Sequence, residues 1–365
     1  MINRLNQIVV FQIILVSYAI SCGKVKSENT HDTQSLFAHK LDSTKWIKPS
    51  HGIREILEDR NGNLWFSNRE FVCRFDGSEF TYFDSNNGFN GIGTNMHEDA
   101  IGNIWIETNI GDSLYGVSIY DGSKFIFQAY PSNKQSKAVD VSEKDIWFSK
   151  PIKSTSKWSD PPGSFRYQNG EFDLLEFPVP IADDYENKYW ATSKTIRGKD
   201  GTLWFGTIEA VIGYKEGNFT IIDRNKMGRI DDPVPVGIRG IFVDEEGKLW
   251  MADNGSGIYV FDGDSVTNFT RQHRLGKNKK KGNTLHRAFS IAEDNNGNMW
   301  FGTVYSGIWR YHTASNEFTN YGIEDGVLSD CIWKIHKTKN GNLLFLGESP
   351  GAVYQFNGKS FDRVF

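Results

Sequence analysis

The residues of this chain that could do chemistry are spread along it rather than gathered. None of the eight histidines stands in an HExxH or other paired metal-ligating spacing. His31 and His39 lie in a polar stretch near the N-terminus. His97 and His336 fall inside strand-like segments, where a packed, bonded histidine is the simpler reading. There is no G-x-S-x-G elbow, no cysteine beside a candidate base and no glycine-rich phosphate loop. Asp294-Asn295-Asn296-Gly297-Asn298 has the outline of a calcium loop but lacks the distal Glu that such a loop needs. No catalytic residue, metal site or cofactor is therefore assigned. What remains for an enzyme is lyase chemistry, which needs only a His or Tyr base and a charge-neutralising Arg. His51, His286, Arg287, Arg239 and Tyr305 are the candidates. The densest charge is at residues 271–282, with Arg271, Arg274, Lys277, Lys279, Lys280 and Lys281. It reads as a solvated loop or as a contact for an anionic partner.

The composition limits what such residues can serve. The 365 residues carry a net charge of −4, with 38% hydrophobic and 14% aromatic residues. That is too aromatic for a disordered chain and too acidic for a non-specific nucleic-acid binder. Residues 1–21 form a signal peptide: Arg4, an apolar run from Ile8 to Ile20, then small residues. The ending Ala19-Ile20-Ser21-Cys22 resembles a bacterial lipobox, with Ala19 where Leu is usual. The resemblance implies lipidation of Cys22 and anchoring to an outer membrane or cell surface. Ordinary cleavage near Ser21 would instead leave the protein in the periplasm. Residues 22–43 read as a flexible tether. Cys73 and Cys331 are expected as buried free thiols, too far apart to bridge.

The elements that must position any site are set by a repeat. One motif recurs seven times, most clearly at 58–67, 98–107, 198–207, 243–252 and 293–303, and more weakly at 142–149 and 338–347. Trp65, Trp105, Trp147, Trp204, Trp250, Trp300 and then Leu344 mark it, about 46 residues apart on average. Each copy parses into four short strands. In the first these are 53–58, 64–67, 72–75 and 79–83, with Asp-x-x-Gly and Asp-Gly turns between them. The expected fold is all-β, a seven-bladed β-propeller of four-stranded antiparallel blades over residues 44–365. Residues 291–303, with Gly307-Ile308-Trp309-Arg310-Tyr311, resemble the two-component regulator propeller repeat. In that family such repeats commonly form the periplasmic sensor half of hybrid histidine kinases, which implies a sensing or binding role.

The second-to-third-strand loops and the links between blades vary in length, with long ones at 149–163, 177–189, 223–236 and 270–285. Variable loops on a rigid scaffold favour binding on that face. The candidate ligand-binding residues by register are His51, Arg69, Glu70, Asn109, Trp190, Glu209, Arg239, Asp253, His286, Arg287, Tyr305 and Glu348. Aromatic and charged residues in a ring suit a glycan or peptide, or an envelope protein partner. The leading expectation is an extracytoplasmic ligand- or partner-binding module. A lyase and a structural scaffold of an envelope complex are the alternatives.

Overall fold

A computed structural model describes residues 52–68, 71–111, 114–131, 142, 144–150, 162–179, 189–230, 236–276 and 284–365. The segments expected as signal peptide and tether, with Cys22, lie outside these residues. The described chain forms seven antiparallel sheets, each built from strands consecutive in sequence. Blade 1 holds Glu55–Glu58, Leu64–Ser67, Val72–Phe75 and Phe80–Phe83, innermost first, close to the expected bounds. The innermost strands of blades 2, 4, 5, 6 and 7 are Ile92–Glu98, Ile196–Arg197, Ile238–Val243, Ala288–Glu293 and Ile332–Lys337. Blade 3 shows Ile146–Ser149, Gly163–Gln168 and Glu171–Glu176. Its inner-strand position falls outside the described residues. Among the described residues, helix is limited to single turns such as Phe269–Gln272, at the start of the basic loop.

The repeated Trp explains why the blades assemble. Side chains alternate across a strand, so the Trp and the residue after it face opposite sides of the blade. Trp300 of blade 6 packs forward on Ile332, Ile335 and Phe345 of blade 7. Phe301, its neighbour, packs back on Trp250 of blade 5. The same clusters recur around the ring, through Trp65 with Ile106, Trp105 with Phe148, and Trp147 with Phe205. Leu344 takes the Trp place in blade 7 and meets Phe66 of blade 1, which closes the circle. Phe365, the last residue, adds to this seam against Phe66, Phe75 and Phe80. Each large ring buried this way is worth about 2–3 kcal/mol of transfer free energy.

The Asp of the first turn does more than hold its loop. In four blades its carboxylate also accepts from the indole N–H six residues on: Asp59 from Trp65 at 2.9 Å, Asp99 from Trp105 at 2.9 Å, Asp244 from Trp250 at 2.7 Å and Asp294 from Trp300 at 2.9 Å. The turn and the inter-blade anchor are thus one unit. Gly198 stands at that place in blade 4. The Asp294 segment is therefore a packing device: the carboxylate is engaged by Trp300, Asn296 and Asn298.

Cys73 is a buried free thiol, as expected. Cys331 is also buried.

Candidate functional site

The innermost strands of a propeller line its axis, and here they enclose a cavity of about 620 Å³. The strands of blades 5, 6 and 7 share one irregularity. Their pairing register shifts between Ile238 and Gly240, between Ala288 and Ser290, and between Ile332 and Lys334. Each shift leaves one extra residue: Arg239, Phe289 and Trp333. A bulge of this kind re-aims a side chain, and all three line the cavity. Blade 2 shifts between Gly93 and Met96, which places Thr94 and Asn95 on the same wall.

These residues form a continuous arc. The Arg239 guanidinium lies 5.7 Å from the Phe289 ring centre, Phe289 lies 4.8 Å from Trp333, and the Arg54 guanidinium lies 4.6 Å over Trp333. Arg54 is fixed in turn by Glu348, at 2.7 Å. Next along the strands comes a polar level of Glu55, Asn95, Lys194, Ser290 and Lys334. Lys334 pairs with Glu55 at 2.9 Å. Lys194, from blade 4, reaches to blade 2 and donates to the Met96 carbonyl at 2.7 Å.

Charge and burial set the protonation states. Burial, with repulsion from Lys194 and Lys334, drives His97 well below its ordinary value, and His336 is pushed down to about 4 chiefly by burial. Both are neutral at pH 7. Lys194 is lowered too, first by burial, with Glu55 acting against the shift. Glu107 stands where blades 1, 3, 4, 5 and 6 have Ser67, Ser149, Gly206, Ala252 and Gly302. It accepts from Ser149 N at 3.0 Å and Asn95 Nδ2 at 3.2 Å. Burial outweighs these bonds and pushes its carboxyl up to about 7. Tyr130 also lines the cavity, and its hydroxyl is enclosed with no hydrogen-bond partner.

Of the residues expected at the rim, Asn109, Trp190 and Arg239 line the cavity. His286, Arg287, Tyr305 and Glu348 do not. Arg287 donates to Asn254 at 2.7 Å and lies 5.0 Å from the Tyr305 ring, so these form a separate group on the loop face. Of the described members of the set expected for lyase chemistry, Arg239 lines the funnel and His286, Arg287 and Tyr305 do not. Two expectations are corrected outright. Asp253 is fully buried, its carboxylate taken by Gly237 N, Ser256 and Arg229. Glu209 is buried beside Arg224, at 3.5 Å. Both latch loops rather than meet solvent. His51, Arg69, Glu70 and Cys22 lie outside the described residues.

Sequence reasoning missed Arg54, Glu55, Glu107, Lys194, Phe289, Trp333 and Lys334. It placed the rim at the first residues of the inner strands, whereas the bulges bring the residues four and five places before the turn Asp to the axis. That spacing is visible in the sequence once the bulge is known. Glu107 also carried a signal, a carboxylate at an otherwise small position. Several exposed apolar side chains, Ile92, Leu114, Trp190, Ile230, Tyr305 and Leu328, sit in or beside loops of the variable face.

Residues 284–305 match the family described as two component regulator propeller. No curated protein matches the sequence. Among solved structures, a catalytically inactive virginiamycin B lyase from Staphylococcus aureus with quinupristin is similar at TM-score 0.59 and 17% identity, over 86% of this chain and 95% of that one. A structure of YCF48 bound to D1 peptide is similar at TM-score 0.52 and 12% identity, over 87% and 98%. The extracellular domain of a putative hybrid two component system from B. thetaiotaomicron aligns at TM-score 0.39 and 17% identity, over 85% of this chain and 45% of that one. At these identities the likeness is one of fold. No helix among the described residues is long and apolar enough to cross a membrane.

Proposed function

We propose that this protein is an extracytoplasmic recognition module. A ligand or partner is received at the variable-loop face and in the central funnel, and the chain is held to a membrane through lipid on Cys22. The observation that carries the reading is the bulging of three inner strands toward one axis. It aims Arg239, Phe289 and Trp333 into a cavity of about 620 Å³. Bulges re-aim side chains and are over-represented beside active sites as well as at sheet edges. A cavity of this size suits a mono- to trisaccharide or a short peptide. The match at 284–305 to a two-component regulator repeat supports a sensing role. Asn109, Trp190 and Arg239 are the sequence-derived candidates retained as direct contacts. Tyr305, Arg287 and His286 are retained as a loop-face patch for a larger partner.

The test is a thermal-shift and tryptophan-fluorescence screen of the mature protein against oligosaccharides and peptides, with each hit recovered and weighed. A shift with intact ligand supports recognition. A shift with cleaved ligand replaces recognition by lyase activity. No response from any ligand, with specific co-purification of an envelope protein, replaces it by a scaffold role. The anchor is tested separately. Cys22→Ser should abolish incorporation of labelled fatty acid and release the protein from the membrane fraction.

A further inference from the structure

The funnel holds an ammonium group that has no carboxylate in direct contact, although Glu55 attracts it from farther off. Arg54 is paired with Glu348 at 2.7 Å and Lys334 with Glu55 at 2.9 Å. Lys194 has only a backbone carbonyl, Met96 O at 2.7 Å, which takes one of its three protons. Among the described residues no carboxylate lies within ion-pair distance of it. The two carboxylates that line the cavity are already engaged. Glu55 accepts from Lys334 and from Ile56 N. Glu107 accepts from Ser149 N and Asn95, and its raised pKa makes it a weak counter-charge at pH 7. The described lining includes five cationic side chains, Arg54, Lys150, Lys194, Arg239 and Lys334, and two carboxylates, with Glu348 neutralising Arg54 from just outside it.

An unbalanced charge in a partly enclosed site is costly to the folded protein alone, and a ligand of opposite sign relieves that cost. Carboxylates, however, are abundant among side chains, so a structural role would have been met by placing one opposite Lys194. The remaining wall favours the same occupant. The Arg239–Phe289–Trp333–Arg54 arc offers flat apolar surface with guanidinium groups at both ends. The Tyr130 hydroxyl and the His336 Nε2 line the cavity without partners. They can complete the polar contacts of a ligand head group.

We propose that the funnel is a carboxylate-binding site, in which a small ligand places its carboxylate on Lys194 and lays its body along the Arg54–Trp333–Phe289–Arg239 arc. The inference rests on the funnel being the recognition site and adds the chemistry of what it takes. A carboxylate of this kind occurs on sugar acids and on peptides, and the probes separate the two.

Binding is measured by isothermal titration with two matched pairs: galacturonate against galactose, and the dipeptide Gly-Glu against Gly-Gln. Tryptophan fluorescence from Trp190 and Trp333 is followed in parallel. The expected result is at least tenfold tighter binding of one acid than of its neutral counterpart. That preference should be lost in Lys194→Met, which keeps the aliphatic stem and removes the charge. Lys194→Arg should retain it. The wild-type comparison needs no variant, so a variant that fails to fold leaves the test intact. Galacturonate responding alone assigns a sugar acid, and Gly-Glu alone assigns a peptide. Equal affinity for acid and neutral member overturns the proposal. So does unchanged preference in a folded Lys194→Met. If neutral oligosaccharides or peptides change the tryptophan signal while neither acid does, the carboxylate proposal falls and funnel recognition stands. If nothing changes the signal, both fall.

Discussion

Replacing Asp294 by Ala should destabilise the propeller by an amount that the Asp–Trp unit predicts. Asp294 accepts from Trp300 Nε1 at 2.9 Å, from Asn296 N at 2.9 Å and from Asn298 N at 3.0 Å, and it pairs with Arg310 at 3.3 Å. Trp300 is 2% exposed. Its indole N–H would be left dry, at a cost of about 1–3 kcal/mol. The turn amides can turn to water, which adds about 1 kcal/mol. The sum, about 3 kcal/mol, corresponds to a melting-point drop of about 4–6 °C for a domain of this size. Asp200→Ala in blade 4 is the control. Asp200 holds Thr202 and an exposed Lys215 but no indole, so its loss should cost about 1 kcal/mol or less. Both variants are compared by denaturant melts, with exchange of the Trp300 indole proton followed by NMR. The pH dependence carries a sign. Burial would raise the Asp294 carboxyl, but the bonds from Trp300 and Asn298 outweigh it and hold it below its ordinary value. Its contribution is therefore full above the ordinary carboxylate value and is lost as pH falls through the lower folded value. The gap between wild type and Asp294→Ala should narrow near pH 3. Equal losses in Asp294→Ala and Asp200→Ala, or an unchanged indole exchange rate, would refute the reasoning.

Three other outcomes are expected. The folded pKa of Glu107 is raised to about 7, so its stabilising contribution is full below the ordinary Glu value and is lost as pH rises through 7. Wild type should lose stability on the order of 1–3 kcal/mol between pH 5 and 8, and Glu107→Gln should flatten that slope in urea melts. Gly213 faces the flat of Trp204, and a Cβ there would meet ring atoms at 2.6 Å and 2.9 Å. Gly213→Ala should cost about 1–3 kcal/mol, read as a lower denaturation midpoint; a neutral effect would show that the ring can move aside. Cys73 is fully buried and its thiol is pushed far up by burial. Its peptide should stay unlabelled by iodoacetamide in native protein and react after unfolding, as mass spectrometry will report.

The fold was legible in the sequence because its signals are local and repeated. Trp65, Trp105 and Trp300 each follow an Asp-x-x-Gly turn, and each needs only its own strand and the next blade to find its place. Even the indole–carboxylate bond was readable, as an Asp six residues before the Trp in four copies. Register alone, by contrast, misplaced the site. Asp253 looked like a rim residue and is sealed inside a loop latch with Arg229. Arg54, Lys194 and Trp333 looked like ordinary strand residues and line the axis. The difference is physical. Which side of a strand a residue faces depends on the bulges at Arg239, Phe289 and Trp333, and a one-residue shift exchanges the two faces. Which charges meet across the axis depends on ring closure, which brings Lys334 to Glu55, 279 positions apart in the chain. Local pattern therefore determined the blades and their packing. Only the closed ring decided that cations from five blades would share one funnel, and that Lys194 would stand in it without a carboxylate in ion-pair contact.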